Sequence, residues 1–562
     1  MATRKSKSET AKQASEVAEV AEVVGGGEDL GGMSFNSLMS AATSAVNAGA
    51  LARESAKLYT EWVKIMWGKS ERELPQKDWR FADPAWKDNP LYTRMAQGYL
   101  AFCDSVDKVV ADNPDWKKRE RAKFLTGILT SAMSPTNTLL GNPAALKKAY
   151  ETGGMSLVRG TKNMVGDMVA GKGLPSQAKS SDFKLGETLA ATPGAVVFRN
   201  ELLEVIQYTP VTAKVHEIPT IIMVPPIGKY YFMDLAPGRS FVQHSVSKGI
   251  QTFVTSWRNP QKENGDWDLD AYVQSLLDTV GAVCEVTGSK KVNILGLCAG
   301  GILSTMLLNY MAATGDSRVN AAAFGVMLLD FELEAPIGAL QSKPVLKLAG
   351  KRSAKKGILP ASSLATVFAW MRPNDLVWNY WVNNYLEGKD PPSFDILAWS
   401  VDGTNLPGAL HGQFLDIFEN NPLPKRGALT VLGEPIDLSR IKVETLVTGA
   451  LSDHLTPWKA CYQTTQLLGG KSTFVLSNAG HIAALVNPPG NPKASYWLGP
   501  KPGADPEQWL AKAQKHTGTW WEVWARWTAE RSGKEKAAPS TLGSAHHPVL
   551  DKAPGQYVRQ QA

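Results

Sequence analysis

The spacing of apolar positions changes near residue 180. Before it, they recur at helical intervals. Leu38, Ala41, Ala45, Leu51, Ala56, Leu58, Trp62 and Ile65 form one stripe, and Leu91, Met95, Tyr99, Phe102 and Val106 form a second. Asn113-Pro114-Asp115 predicts the start of a further helix through Phe124, Ile128 and Leu129, and Ser134-Pro135-Thr136 its end. These stripes predict a helical N-terminal domain over residues 33–180. A Gly- and Lys-rich stretch at 171–176 reads as a linker. Beyond it come short β-type runs at 195–198, 201–208, 220–224, 251–257, 291–295, 321–329, 442–448 and 472–476, with helical segments such as 269–286 between several of them. Strands alternating with helices predict a largely parallel sheet covered on both faces, spanning residues 181–530. One interruption, about 331–440, holds Trp370, Trp378 and Trp381 and is where a cap or lid would sit. Residues 1–32 are rich in Ala, Glu, Ser and Gly and predict a disordered tail. Residues 531–562, basic and Pro-containing, predict a loose C-terminal tail.

The chemistry concentrates at Gly296-Leu297-Cys298-Ala299-Gly300-Gly301. This stretch follows the buried run Val292-Asn293-Ile294-Leu295 and precedes the helical run Ile302-Leu303-Ser304-Thr305-Met306. A strand, a G-x-nucleophile-x-G turn and a helix form the nucleophile elbow of an α/β-hydrolase fold. The fold class expected is therefore an α/β-hydrolase with a lid insertion, preceded by a helical domain. Cysteine stands where serine is usual, which points toward acyl transfer through a thioester. The fold orders its groups as nucleophile, acid, histidine. His216 and His244 precede Cys298, His411 lies in the lid segment, and His516, His546 and His547 lie in the polar C-terminal region. Of the remaining pair, His481 sits in the loop after the strand-like Phe474-Val475-Leu476, where the base belongs; His454 is a candidate neighbour. Asp453 follows Leu446-Val447-Thr448 and is the candidate acid, with Asp330 its competitor. The oxyanion hole would use the N–H of Ala299 and one from the loop after an early strand. In Val224-Pro225-Pro226-Ile227-Gly228 the prolines carry no N–H, which leaves Ile227 or Gly228.

Composition narrows the setting. A chain of 562 residues with 43% hydrophobic content has material for more than one core. Net charge of +7 favours anionic ligands without implying nucleic acid. The four cysteines form no CxxC pair and fit a reducing cytoplasm; Cys103, Cys284 and Cys461 are expected to be buried thiols. No HExxH or Cys/His cluster at ligand spacing occurs, so no metal is expected. No apolar run approaches the ~18 residues that span a bilayer, so a soluble protein is expected. Gly469-Gly470-Lys471-Ser472-Thr473 fails as a phosphate loop, since Thr465 stands where the first glycine belongs.

Taken together, these motifs resemble the polyhydroxyalkanoate synthases. The matching stretches are Val224-Pro225-Pro226 with Lys229-Tyr230-Tyr231, Ser256-Trp257-Arg258-Asn259-Pro260, the cysteine elbow, and Arg372-Pro373-Asn374-Asp375-Leu376-Val377-Trp378-Asn379-Tyr380. Asp453-His454 with Pro457-Trp458, Gly480-His481-Ile482, Asn487-Pro488-Pro489 and Trp520-Trp521 complete them. The likeness runs from about Trp79 to the C-terminus, and the length resembles the single-subunit type. It implies a polymerase that takes 3-hydroxyacyl-CoA, releases CoA and needs no cofactor. It implies Cys298 as acyl carrier, His481 as its activator, and Asp453 either activating the incoming 3-hydroxyl or orienting His481. It also implies a homodimer in the cytoplasm, on granules of its own polyester. The CoA phosphates would need cations, for which Arg372 and Lys229 are candidates. A cysteine hydrolase of the dienelactone-hydrolase type and a non-catalytic granule coat are the alternatives.

Overall fold

The computed structural model describes residues 47–562. The expected N-terminal tail, and Leu38, Ala41 and Ala45 of the first stripe, lie outside the described residues. The chain divides into two compact units, with a boundary between Lys179 and Ser180.

Unit one carries helices α1 (Ala48–Met66), α2 (Pro90–Ala111), α3 (Trp116–Ala132), α4 (Pro143–Glu151) and α5 (Met155–Val169). Their starts follow local chemistry. The side chains of Asn47, Asn89, Asp115 and Asn142 accept backbone N–H groups of the first turns, and Pro90 and Pro143 occupy first helical positions where no N–H is needed. Residues 338–349 and 362–394 also belong to this unit. The segment expected to form one lid is thus divided, the rest of it belonging to the second unit. The physical reason is visible in its aromatic residues. The indole N–H of Trp378 donates to Ser131 Oγ at 3.1 Å, that of Trp381 to the Asn137 carbonyl at 3.0 Å, and the Tyr385 hydroxyl to Asp167 at 2.8 Å. Close approach completes the join: a Cβ on Gly160 would stand 1.9 Å from the Tyr385 carbonyl oxygen.

Unit two is built on one sheet of 11 strands. In chain order these are β1 (Gly194–Arg199), β2 (Leu203–Tyr208), β3 (Thr220–Met223), β4 (Thr252–Trp257), β5 (Val292–Leu297), β6 (Val319–Gly325), β7 (Glu444–Ala450), β8 (Ser472–Ser477), β9 (Ser495–Leu498), β10 (Gln514–Thr517) and β11 (Asp551–Lys552). Their spatial order is β10-β9-β8-β7-β6-β5-β3-β4-β2-β1-β11. The stretch from β8 to β4 is parallel throughout; the flanking pairs are antiparallel. Strands β3, β4 and β5 are buried along their whole length, as expected where helices cover both faces. The helices that matter for the site are α6 (Leu269–Thr287), α7 (Cys298–Thr314), α8 (Trp458–Leu467), α9 (His481–Val486) and α10 (Trp520–Ala529). This is the α/β-hydrolase arrangement that the elbow predicted.

Two expectations need correction. The strand expected at 321–329 ends at Gly325, because Val326 turns into the left-handed region (φ 46°) and donates its N–H across to the Thr448 carbonyl. The C-terminal stretch is not a loose tail. Residues Glu535–Ala537 pair with Lys214–His216, β11 pairs with β1, and the N–H groups of Gln556 and Tyr557 donate to the buried Glu204 carboxylate. Small and basic composition hid this docking, because its partners are backbone groups and one buried acid.

Candidate active site

Cys298 stands at the junction of β5 and α7, with φ at 48°. A non-glycine residue in that region is strained, and here the tight turn holds the thiol half-buried at the C-terminal end of a central strand. The neighbouring glycines make the turn sterically possible. A Cβ on Gly300 would stand 2.5 Å from the Met223 carbonyl oxygen, and one on Gly296 2.8 Å from the Gly301 Cα. Helix α7 therefore packs directly on β3 and β5. Ala299 lies in the first turn of α7, where the leading N–H groups have no intrahelical partner.

His481 begins α9, directly after β8. Its position is set from behind by α10: the indoles of Trp520 and Trp521 donate to the Ala484 and Leu485 carbonyls at 2.7 and 2.9 Å. The Nδ1 of His481 donates to Asp453 Oδ2 at 2.7 Å, and the Cys298 thiol stands near enough to the ring for its charge to favour the protonated imidazole. With Nδ1 committed to Asp453, Nε2 is the nitrogen left for Cys298. Burial, the largest single influence, disfavours the imidazolium. The Cys298 and Asp453 charges and the Asp453 hydrogen bond outweigh it and push His481 from 6.5 up to about 10.

Asp453 follows β7, and its side chain is wholly buried. Burial alone would raise its pKa, but His481 and Thr456 hold the carboxyl below the usual range. Both oxygens are engaged. Oδ1 accepts the backbone N–H of Leu455 at 2.8 Å and of Thr456 at 2.9 Å, while Oδ2 accepts the Thr456 hydroxyl at 2.7 Å besides His481. Thr456 was absent from the sequence expectations; its place three residues after the acid, before Pro457, was the available signal. Asp330 is not a competitor: it accepts from Asn421 and from the Glu332 N–H.

The structure thus brings Cys298, His481 and Asp453 together. The loop carrying Ile227 and Gly228 follows β3 beside α7, and Trp399 packs on Gly228 while its indole donates to the Lys229 carbonyl at 2.7 Å. Lys229 itself is buried, and its ammonium donates to the Gln560 carbonyl at 2.5 Å, so it is no free cation for a phosphate. Burial depresses its affinity for the proton. Arg372 belongs to unit one, where it pairs with Asp375 at 2.5 Å. Of the other thiols, Cys461 is fully buried, whereas Cys103 and Cys284 are half-buried, less than expected. Among the described residues, no group of three or more His, Cys, Asp or Glu is placed to hold a metal ion, and no helix is long and apolar enough to cross a membrane.

Residues 77–245 match the family model described as poly-beta-hydroxybutyrate polymerase (PhaC) N-terminus, and residues 228–488 match the α/β hydrolase fold. The first match extends past the unit boundary and includes the loop bearing Ile227. Poly(3-hydroxyalkanoate) polymerase 1 of Ectopseudomonas oleovorans is 43% identical over 512 residues, covering 91% of each chain. Poly(3-hydroxyalkanoate) polymerase subunit PhaC of Cupriavidus necator is 39% identical over 513 residues, covering 89% of this chain and 86% of that one. Among solved structures, naproxen esterase from Bacillus subtilis is 14% identical with a TM-score of 0.29, covering 59% of this chain and 94% of that one. A monoacylglycerol lipase from Paleococcus ferrophilus is 14% identical with a TM-score of 0.28, covering 57% and 96%. The full-length identity, the two matching models and the cysteine elbow agree: this chain belongs to the poly(3-hydroxyalkanoate) polymerase family of enzymes.

Proposed function

We propose that this chain polymerises 3-hydroxyacyl-CoA into polyester with release of CoA, using Cys298 as acyl carrier. The observation that carries the reading is the His481–Asp453 hydrogen bond beside a strained cysteine on the elbow whose charge acts on the same imidazole. His481 Nε2 takes the Cys298 proton, and the thiolate attacks the thioester carbonyl. The Ala299 and Ile227 N–H groups face the developing oxyanion. The C–S bond to CoA breaks, and His481 returns the proton to the departing thiolate. One thioester replaces another, so this step is nearly thermoneutral. The 3-hydroxyl of a second substrate then attacks the Cys298 acyl carbonyl. His481 takes the hydroxyl proton and passes it to the Cys298 sulfur as that C–S bond breaks. An oxoester forms at the expense of a thioester, which drives the step downhill. The lengthened acyl-CoA reloads Cys298 and releases CoA.

Asp453 acts in this scheme by orienting His481 and stabilising its imidazolium. Its full set of hydrogen bonds and complete burial support that role over direct contact with the substrate hydroxyl. The enzyme needs no cofactor beyond the CoA its substrate carries, works in the cytoplasm on the surface of its product granule, and acts as a homodimer. Purified protein with 3-hydroxybutyryl-CoA tests the activity, followed by CoA release and polymer turbidity. Release of CoA with growing turbidity is expected; no thiol release from any 3-hydroxyacyl-CoA would overturn the proposal.

A further inference from the structure

Thr456 sits where three restraints meet. Pro457 follows it, which confines its backbone to extended conformations. Its carbonyl accepts the thiol of the fully buried Cys461 at 3.3 Å, and Pro457 bridges back to Ala450 at the end of β7. Its N–H is held by Asp453 Oδ1 at 2.9 Å. The hydroxyl is therefore presented in one place, 2.7 Å from Asp453 Oδ2 and 3.1 Å from His481 Nδ1. It has one proton, which goes to the carboxylate. Its lone pairs then face the Nδ1–H of His481, which sits between two acceptors.

We infer that Thr456 is a positioning residue: its hydroxyl fixes the second oxygen of Asp453 and shares the Nδ1–H of His481, so that the other ring nitrogen stays on Cys298. The inference rests on the acyl-cysteine reading above. Without the hydroxyl, Asp453 Oδ2 keeps only its bond to the imidazole, and the carboxylate can pivot about its anchored Oδ1 and carry the ring with it. The thiol and the ring nitrogen then spend less time aligned, and small misalignments at a reacting pair are costly. A hydroxyl bonded to a charged group is worth about tenfold in rate when the bond serves the reacting geometry.

The test compares Thr456→Val, Thr456→Ala and Thr456→Ser in the full chain. Alkylation of Cys298 by iodoacetamide at neutral pH, read by peptide mass, needs no substrate and reports activation of the thiol. CoA release from 3-hydroxybutyryl-CoA gives kcat and KM. The hydroxyl-free variants should lose about tenfold in both alkylation rate and kcat, with KM unchanged within about twofold. The serine variant should stand within about threefold of the parent, since it keeps the oxygen and loses only a methyl group. Equal losses in serine and alanine variants would overturn the inference, because packing would then be the cause. So would parental alkylation in the alanine or valine variant. If the parent releases no CoA, the polymerase reading fails, and the alkylation comparison still decides the role of Thr456.

Discussion

Replacing Asp453 by asparagine separates the two roles open to this acid. Oδ1 of Asp453 is bound by two backbone N–H groups at 2.8 and 2.9 Å, which cannot move away. The asparagine must therefore keep its carbonyl oxygen there and turn its NH2 toward Thr456 and His481. The Thr456 hydroxyl can rotate to accept. His481 Nδ1, 2.7 Å from the former Oδ2, must become an acceptor too, which moves the ring proton to Nε2. That nitrogen faces Cys298 and can no longer take its proton. In the general behaviour of such relays this tautomer error costs about 10⁴ in turnover, or about 5 kcal/mol of barrier. The loss should appear in acylation as much as in chain growth, because both steps pass a proton through Nε2. Rapid-quench measurement of acyl-Cys298 formation beside steady-state CoA release is the assay. An Asp453→Asn enzyme that acylates Cys298 at the parental rate but fails to elongate would refute the reasoning, and would make Asp453 the base for the 3-hydroxyl.

Further outcomes follow from the same geometry. Gly300→Ala places a methyl 2.5 Å from the Met223 carbonyl oxygen, so it should cost about 3 kcal/mol by denaturant unfolding of the purified protein; an unchanged midpoint would contradict the packing of α7 on β3. Trp520→Phe removes the N–H on the Ala484 carbonyl and should lower stability by about 1–2 kcal/mol, with reduced kcat as α9 loosens; parental values of both would refute the anchoring role. His481 is raised from 6.5 to about 10, so its charge contributes stability in full below pH 6.5 and loses it as pH rises through about 10. The Tm should fall across that window, and His481→Gln should flatten the fall; parallel curves for both proteins would contradict the ion-paired imidazole.

Much of this architecture was legible because it rests on local chemistry. Asp115 caps its helix through its own neighbours in sequence, and the runs of β3 and β5 are mostly apolar. The elbow was legible because only glycine tolerates the approach of α7 to β3 at position 300. What failed depended on distant partners. The C-terminal residues look like a tail until Glu204 is seen to accept two of their N–H groups. The tryptophans of the presumed lid look like one unit until Ser131 and Asn137 appear as their acceptors. Lys229 suits a phosphate by its charge alone; its actual partner, the Gln560 carbonyl, lies 331 positions away. Thr456 was missed for another reason. A threonine before proline is unremarkable in a turn, and only the side chain's distance to two ionisable groups gives it meaning.

The central claim is that the growing ester is carried on the sulfur of Cys298. Brief exposure to 3-hydroxybutyryl-CoA, acid quenching and peptide mass spectrometry test it directly. The account predicts a hydroxybutyryl or oligoester adduct on the peptide containing Cys298, absent from Cys298→Ala, together with loss of CoA release in that variant. An adduct on another residue, or CoA release that survives Cys298→Ala, would contradict it.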